Sequence, residues 1–115
     1  MAALFRRVLD RAAINSGDTI DLAEALDLLE FSNLSFVVTV HEAGTGDGPP
    51  LLLIQHASYN ETGSYVSFKD PIEIDLTVAE TRWSTVSVFT RWVAWFTSGS
   101  LTSPAVVTLD VIARP

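Results

Sequence analysis

Ile72-Glu73-Ile74-Asp75-Leu76-Thr77-Val78 is the cleanest pattern in the chain. Its apolar and polar residues alternate strictly. An extended backbone therefore turns Ile72, Ile74, Leu76 and Val78 to one side and Glu73, Asp75 and Thr77 to the other. A helix would scatter the same residues around its circumference. The pattern predicts a strand with one buried face and one wet face, as in an antiparallel sheet lying on a core.

The period of two recurs outward from this stretch. Residues 35–41 set Phe36, Val38 and Val40 against Ser35, Val37, Thr39 and His41. Residues 105–113 set Val107, Leu109, Val111 and Ala113 against Val106, Thr108, Asp110 and Ile112. Further extended runs are predicted over 51–57, 64–68, 82–89 and 91–97. Gly44-Thr45-Gly46-Asp47-Gly48-Pro49-Pro50 reads as the long loop of a hairpin joining 35–41 to 51–57, because Gly supplies positive φ and Pro removes a donor. Tyr59-Asn60-Glu61-Thr62-Gly63 reads as a turn. Lys69-Asp70-Pro71, Ser98-Gly99-Ser100 and Ser103-Pro104 read as breaks. This cadence gives about seven to nine strands and an all-β chain. The expected architecture is an antiparallel β-sandwich or jelly roll, since half-buried sheets need a partner sheet.

The first third of the chain is less regular. Residues 4–13 suit a strand or a short helix. Residues 18–22 suit a strand after the turn Asn15-Ser16-Gly17. Leu22, Ala25, Leu26 and Leu29 recur at helical spacing within 21–30, which predicts one short N-terminal helix capped by Asp18 or Asp21. The chain divides into an N-terminal arm, 1–13, and a single β-sandwich domain, 14–115.

A chain of 115 residues, 48% hydrophobic, is long enough to bury one core. It has no cysteine, which excludes disulfides, thiolate metal sites and a Cys nucleophile. The net charge of −7 makes nucleic acid and anionic membrane poor partners for the body of the protein. No apolar run approaches the roughly 20 residues of a spanning helix. Met1-Ala2-Ala3-Leu4-Phe5 is too short for the core of a signal peptide, so none is expected. The charge is uneven: Arg6, Arg7 and Arg11 sit near the start with one acid, Asp10. Such a basic arm could dock on the acidic body of a neighbouring copy. The alternative is a terminus with ordinary solvated charges.

Residues able to do chemistry are sparse. His41, Glu42 and His56 are the candidates for zinc or acid–base work, and a site with three or four usable ligands is not apparent. Asp47 with Glu42 is a thin donor set for calcium. Glu73 and Asp75 point from one strand face, where solvation and edge protection are their ordinary roles. No Ser lies in a GxSxG pattern. The reading is therefore of a protein that is no enzyme, with no catalytic residue, no metal and no cofactor.

Aromatic residues carry the strongest functional signal. Trp83, Trp92 and Trp95 lie close together in sequence, with Phe89 and Phe96. In Arg91-Trp92-Val93-Ala94-Trp95-Phe96 both faces of one strand bear large apolar groups. Either the N-terminal segment covers the outer face, or another subunit does, or the rings form a platform for a glycan. The expected interface residues are Arg6, Arg7, Arg11, Trp83, Trp92, Trp95 and Phe96.

The run 89–96, the Ser98-Gly99-Ser100 turn and the closing strand 105–113 resemble the end of small β-sandwich virion proteins of tailed phages and prophage-like elements. Asn33-Leu34-Ser35-Phe36-Val37-Val38-Thr39-Val40 is similar to their first core strand. The resemblance spans residues 18–113 on motifs generic to aromatic-rich sandwiches. It implies a non-catalytic structural role in capsid decoration or in another particle part. It also implies a homo-oligomer contacting other particle proteins, located in a virion or cytoplasmic particle. The chain lacks any fibre repeat, which departs from the fibre-forming members. A carbohydrate-binding or adhesion module is the alternative function.

Overall fold

A computed structural model of the chain describes residues 2–115. Eight strands run in the order β1 (Leu4–Ile14), β2 (Leu26–Asp27), β3 (Asn33–Glu42), β4 (Thr45–Ala57), β5 (Val66–Asp75), β6 (Thr81–Val86), β7 (Trp92–Ser103) and β8 (Ala105–Arg114). They form two four-stranded sheets, β1-β8-β3-β6 and β2-β7-β4-β5, with every pairing antiparallel. First strand pairs with last, second with seventh, third with sixth and fourth with fifth. The expected all-β sandwich is the fold.

The core lies between the two inner faces. The alternating residues predicted to point inward do so: Phe36, Val38 and Val40 of β3, Ile72 and Ile74 of β5, and Val107, Leu109, Val111 and Ala113 of β8 are buried. Phe36 is among the largest fully buried side chains, and its ring lies 6.0 Å from that of Phe68. Burying such a side chain contributes about 1.5–3 kcal/mol from area alone.

The hairpin expected between 35–41 and 51–57 does not form. β3 belongs to one sheet and β4 to the other, and most of the presumed loop is itself strand, paired with the far half of β7. The sharp change of sheet depends on Gly44. A Cβ there would lie 2.8 Å from Leu101 Cδ2 and 2.8 Å from the Ser103 carbonyl oxygen. The β3–β4 corner thus packs directly on the β7–β8 corner at Pro104. Ser98-Gly99-Ser100 likewise lies inside β7, where Gly99 adopts φ 76° beside Pro49.

Two other expectations shift. Lys69-Asp70-Pro71 does not end a strand but forms an outward irregularity within β5, where the register jumps between Ile54 and Gln55 of β4. Pro71, which cannot donate to a ladder, is tolerated on this edge strand. Downstream, β5 stops at Asp75 rather than running on to Val78. The Asp75 carboxylate accepts from the Thr77 N–H at 2.9 Å and from its hydroxyl at 2.7 Å, closing a turn. Those bonds hold the Asp75 carboxyl below its ordinary pKa. Its contribution is present above the unfolded value, near 3.9, and drains away as pH falls through the lower folded value. Asp75→Ala is expected to cost about 1 kcal/mol at neutral pH. In urea titrations the gap between parent and variant should close as the pH is taken well below 4; a pH-independent gap would disprove the assignment.

The helix expected within 21–30 is replaced by a single 3₁₀ turn, Leu22–Glu24, and then β2. Asp21 does cap the turn, its carboxylate accepting from the Ala23 N–H at 3.0 Å. Leu26 pairs with Val93, and the Leu28 N–H donates to the Arg91 carbonyl at 2.9 Å. Leu28 is fully buried while Leu29 points to solvent, the reverse of the helical stripe. The free edge of β7 outweighs local helical preference here. Residues 18–22 contribute one bridge to β7, between Thr19 and Phe96. The segment taken as an arm, 1–13, is from Leu4 onward an edge strand laid along β8, which settles its strand-or-helix reading; Met1 lies outside the described residues.

Candidate functional site

Antiparallel register sorts the side chains of the β1-β8-β3-β6 sheet onto two faces, because residues directly opposite share a face. Phe36, Val38, Val107, Leu109 and Val111 point inward. The outer face is built in rows. One row runs Arg7, Asp110, Val37, Trp83 across all four strands. The next runs Phe5, Ile112, Ser35, Thr85. With strands about 4.8 Å apart, Phe5 and Trp83 stand roughly 15 Å from one another on opposite edges.

This face is partly apolar where a solvated sheet face should be polar. Trp83 is 72% exposed and Phe5 56% exposed. Half-buried Val37 and Ile112 lie between them. Arg7 grips Asp110 with two hydrogen bonds, Nε to Oδ1 at 2.8 Å and Nη2 to Oδ2 at 3.0 Å. This pairing raises the Arg7 pKa further above its already high value, first by the hydrogen bond and then by the charge of Asp110. The His41 ring nitrogen Nε2 lies 2.7 Å from the Thr108 hydroxyl, whose oxygen also accepts the Arg11 N–H at 3.1 Å.

The residues expected at an interface are not gathered into one site. Arg7 and Trp83 share the outer face just described. Arg6 and Arg11 are exposed on the β1 edge and, among the described residues, make no ion pair. Arg11 adopts φ 45°, within the stretch where the β1 register slips twice. Trp95 must be corrected: it is 7% exposed, faces the core beside Val93, and cannot meet a partner. Phe96 lies on the outer face of the other sheet, half-buried, with its ring 5.2 Å from that of Tyr65. Trp92 is half-buried, and the Arg91 guanidinium lies 5.1 Å from its ring centre. Arg91 in turn holds Asp27 through two bonds of 2.8 Å, which lowers the Asp27 pKa.

The cover for Phe96 comes from its own chain. The Asn60 amide donates to the Leu22 carbonyl at 2.6 Å and the Tyr65 hydroxyl donates to Asn60 Oδ1 at 2.7 Å, tying the 58–65 loop back over the sheet. Burial raises the Tyr65 pKa. Thr19, Leu22, Gln55, Tyr65 and Phe96 line an open cleft of about 360 Å³ beside this loop.

His41 and His56 do not converge, since β3 and β4 lie in different sheets. His56 stacks on Phe68 at 4.7 Å, and its Nδ1 accepts the Thr90 N–H at 3.0 Å. Among the described residues no group of three or more His, Asp or Glu side chains could hold a metal ion.

Phe5, Val37 and Ile112 are site residues that the sequence reading passed over. A signal was present. Val37 and Ile112 are apolar residues on strand faces that should be wet, and such residues on neighbouring strands mark a face that is not purely solvated.

The fold is similar to that of the crystal structure of the SPBc2 prophage-derived protein YomS. The match has a TM-score of 0.54 at 12% identity and covers 96% of this chain and 93% of that one. At that identity the likeness is one of fold. No family model matches the chain, and no curated protein sequence matches it.

Proposed function

We propose that this chain is a non-catalytic structural and assembly protein. It is a component of a phage-like particle, such as a head-decoration subunit, and acts through contacts with copies of itself and with other particle proteins. The observation that carries the reading is the outer face of the β1-β8-β3-β6 sheet, where Trp83 and Phe5 stand exposed around a strip of Val37 and Ile112. Exposed aromatic area of this kind marks interaction surfaces. Strand order adds support. Pairing first with last, second with seventh, third with sixth and fourth with fifth is the order that a jelly-roll wrap would give, and viral capsid and lectin domains use that architecture. The fold likeness to a prophage-derived protein points the same way by analogy. Weak contacts suffice in such a role, because many copies on one lattice gain avidity.

Light scattering on the purified chain tests the reading. A defined oligomer, or mass that grows with concentration above 12.5 kDa, is expected. A solitary chain at millimolar concentration, together with no binding to preformed phage heads or tails, would dispose of it.

The cleft beside Tyr65 and Phe96 favours a second reading, a glycan-binding module. Its ring faces could stack on a sugar while Gln55 and Thr19 meet hydroxyls. Chemical-shift changes confined to these residues on a glycan screen would establish it, and a flat screen would remove it.

A further inference from the structure

We propose that the open edge of β6 pairs antiparallel with the same edge of a second copy, about a twofold axis at Trp83, joining two four-stranded sheets into one continuous sheet. The proposal rests on the assembly reading and names its surface and its partner.

The direction of the free donors is set by β3. The Val40 N–H donates to the Glu80 carbonyl at 2.9 Å, and the β3–β6 register, continued one step past Thr39 opposite Thr81, sets these two residues opposite each other. In an antiparallel ladder hydrogen-bonded pairs alternate with unbonded ones. Arg82, Ser84 and Val86 therefore bond to β3. Thr81, Trp83 and Thr85 turn their N–H and C=O groups away from it, toward the open edge. Among the described residues none of these groups has another backbone or side-chain partner. Beside this edge lies an open cleft of about 520 Å³, walled on the far side by Phe68, Lys69, Asp70 and Pro71.

The other three sheet edges are protected and β6 is not. β1 slips register twice, adopts positive φ at Arg11 and carries Arg6 and Arg11, charges that make no ion pair among the described residues. β5 carries Lys69, Asp70 and Pro71 at its irregularity. β2 is two residues long. Charges, bulges, proline and shortness are the means by which sheet proteins prevent edge pairing. β6 pairs with β3 without a register shift and reads Thr81-Arg82-Trp83-Ser84-Thr85-Val86, rich in strand formers.

Those differences also choose the partner. A second copy offers no unprotected edge except its own β6. The edge is self-complementary in charge, because Arg82 is already bound to Glu80 of its own chain at 2.5 Å. Two acidic chains can therefore approach here with little local repulsion. With Trp83 opposite Trp83, Thr81 faces Thr85 and Arg82 faces Ser84. The alternative that sets Arg82 against Arg82 places like charges in register. Thr81, Trp83 and Thr85 each give one donor and one acceptor across the joint, and the two exposed indoles meet on the outer face. A twofold joint of this kind closes on itself and yields a dimer.

Light scattering of the full chain, Thr85→Pro and Trp83→Ala tests the proposal. Thr85→Pro deletes an edge N–H that β3 does not use and a 3.5 Å hydroxyl contact to Ser35, which keeps Arg114 as a partner, and Trp83 is exposed, so at concentrations where the parent is monomeric both variants should keep its far-ultraviolet spectrum and urea midpoint. The parent is expected to dimerise. Trp83→Ala should weaken association by about a hundredfold and Thr85→Pro by about tenfold or more. If Thr85→Pro does not fold, Thr81→Pro, which deletes the other outlying edge N–H, carries the ladder test beside Trp83→Ala, with the same loss of association expected. Association that survives both changes overturns edge pairing and leaves the assembly reading to another surface. Loss with Trp83→Ala alone, Thr85→Pro being folded and as associative as the parent, moves the contact to the sheet face and also overturns the ladder. A parent that stays at 12.5 kDa up to millimolar concentration overturns the dimer, and if it also fails to bind phage particles the assembly reading falls with it.

Discussion

Phe36→Ala is expected to lower folding stability by about 3–5 kcal/mol, against a total of about 5–15 kcal/mol for a domain of this kind. Phe36 is fully buried on the inner face of β3. Its ring meets Phe68 from the opposite sheet, so truncation opens a void between the layers rather than at one edge. Neither sheet can close that void easily, because β3 is held on both sides, by β8 and β6. Urea unfolding followed by tryptophan fluorescence should show the midpoint falling sharply, with Trp95 reporting on the core. The contrast is Trp83→Ala. That change removes a larger ring from an exposed position and, at concentrations where the chain is monomeric, should change stability by less than about 0.5 kcal/mol. Equal losses from the two substitutions would mean that the inner and outer faces are wrongly assigned.

Gly46→Ala should destabilise the chain by about 3 kcal/mol or more, the upper end for overpacking. A Cβ at Gly46 would stand 1.9 Å from the Ser100 carbonyl oxygen and 3.0 Å from its carbonyl carbon. Both atoms are backbone, so no side chain can swing aside. Relief requires β4 and β7 to part where Gly46 pairs with Leu101, just before the register shift between Asp47 and Leu51. Gly17→Ala is the control. Gly17, unlike Gly46, has positive φ, 76°, but open space around it, so only the ordinary cost of a left-handed alanine applies, about 1 kcal/mol. Thermal melts of the two variants should separate widely. Matching melts would show that the 45–50 segment is not packed against β7.

The chain shows where strand-by-strand reading works and where it stops. Ile72 and Ile74, Phe36 and Val38, and Val107 and Leu109 were legible as core residues from alternation alone. The aromatic run was not. Trp92, Trp95 and Phe96 look equally available in sequence, yet Trp95 is core, Phe96 lies against Tyr65, and Trp92 lies against Arg91. Trp83 belongs to the other sheet. Glycines 44 and 46 read as a flexible loop because their spacing says turn. Their role is close approach of two chain segments, which no local window contains.

Alternation along the chain is enough to tell which side of each strand is apolar, and hence that two sheets must enclose one core. That follows from backbone geometry, since successive residues of an extended chain point in opposite directions whatever their neighbours are. Which strands lie side by side, which aromatic rings remain outside and which sheet edge stays open emerge only in the folded molecule. Those outcomes depend on partners far apart in the chain. Arg7 meets Asp110 across 103 positions, and Thr97 reaches the Asp18 carbonyl across 79. Such contacts compete globally for the same strand edges, and the winner is set by packing of the whole.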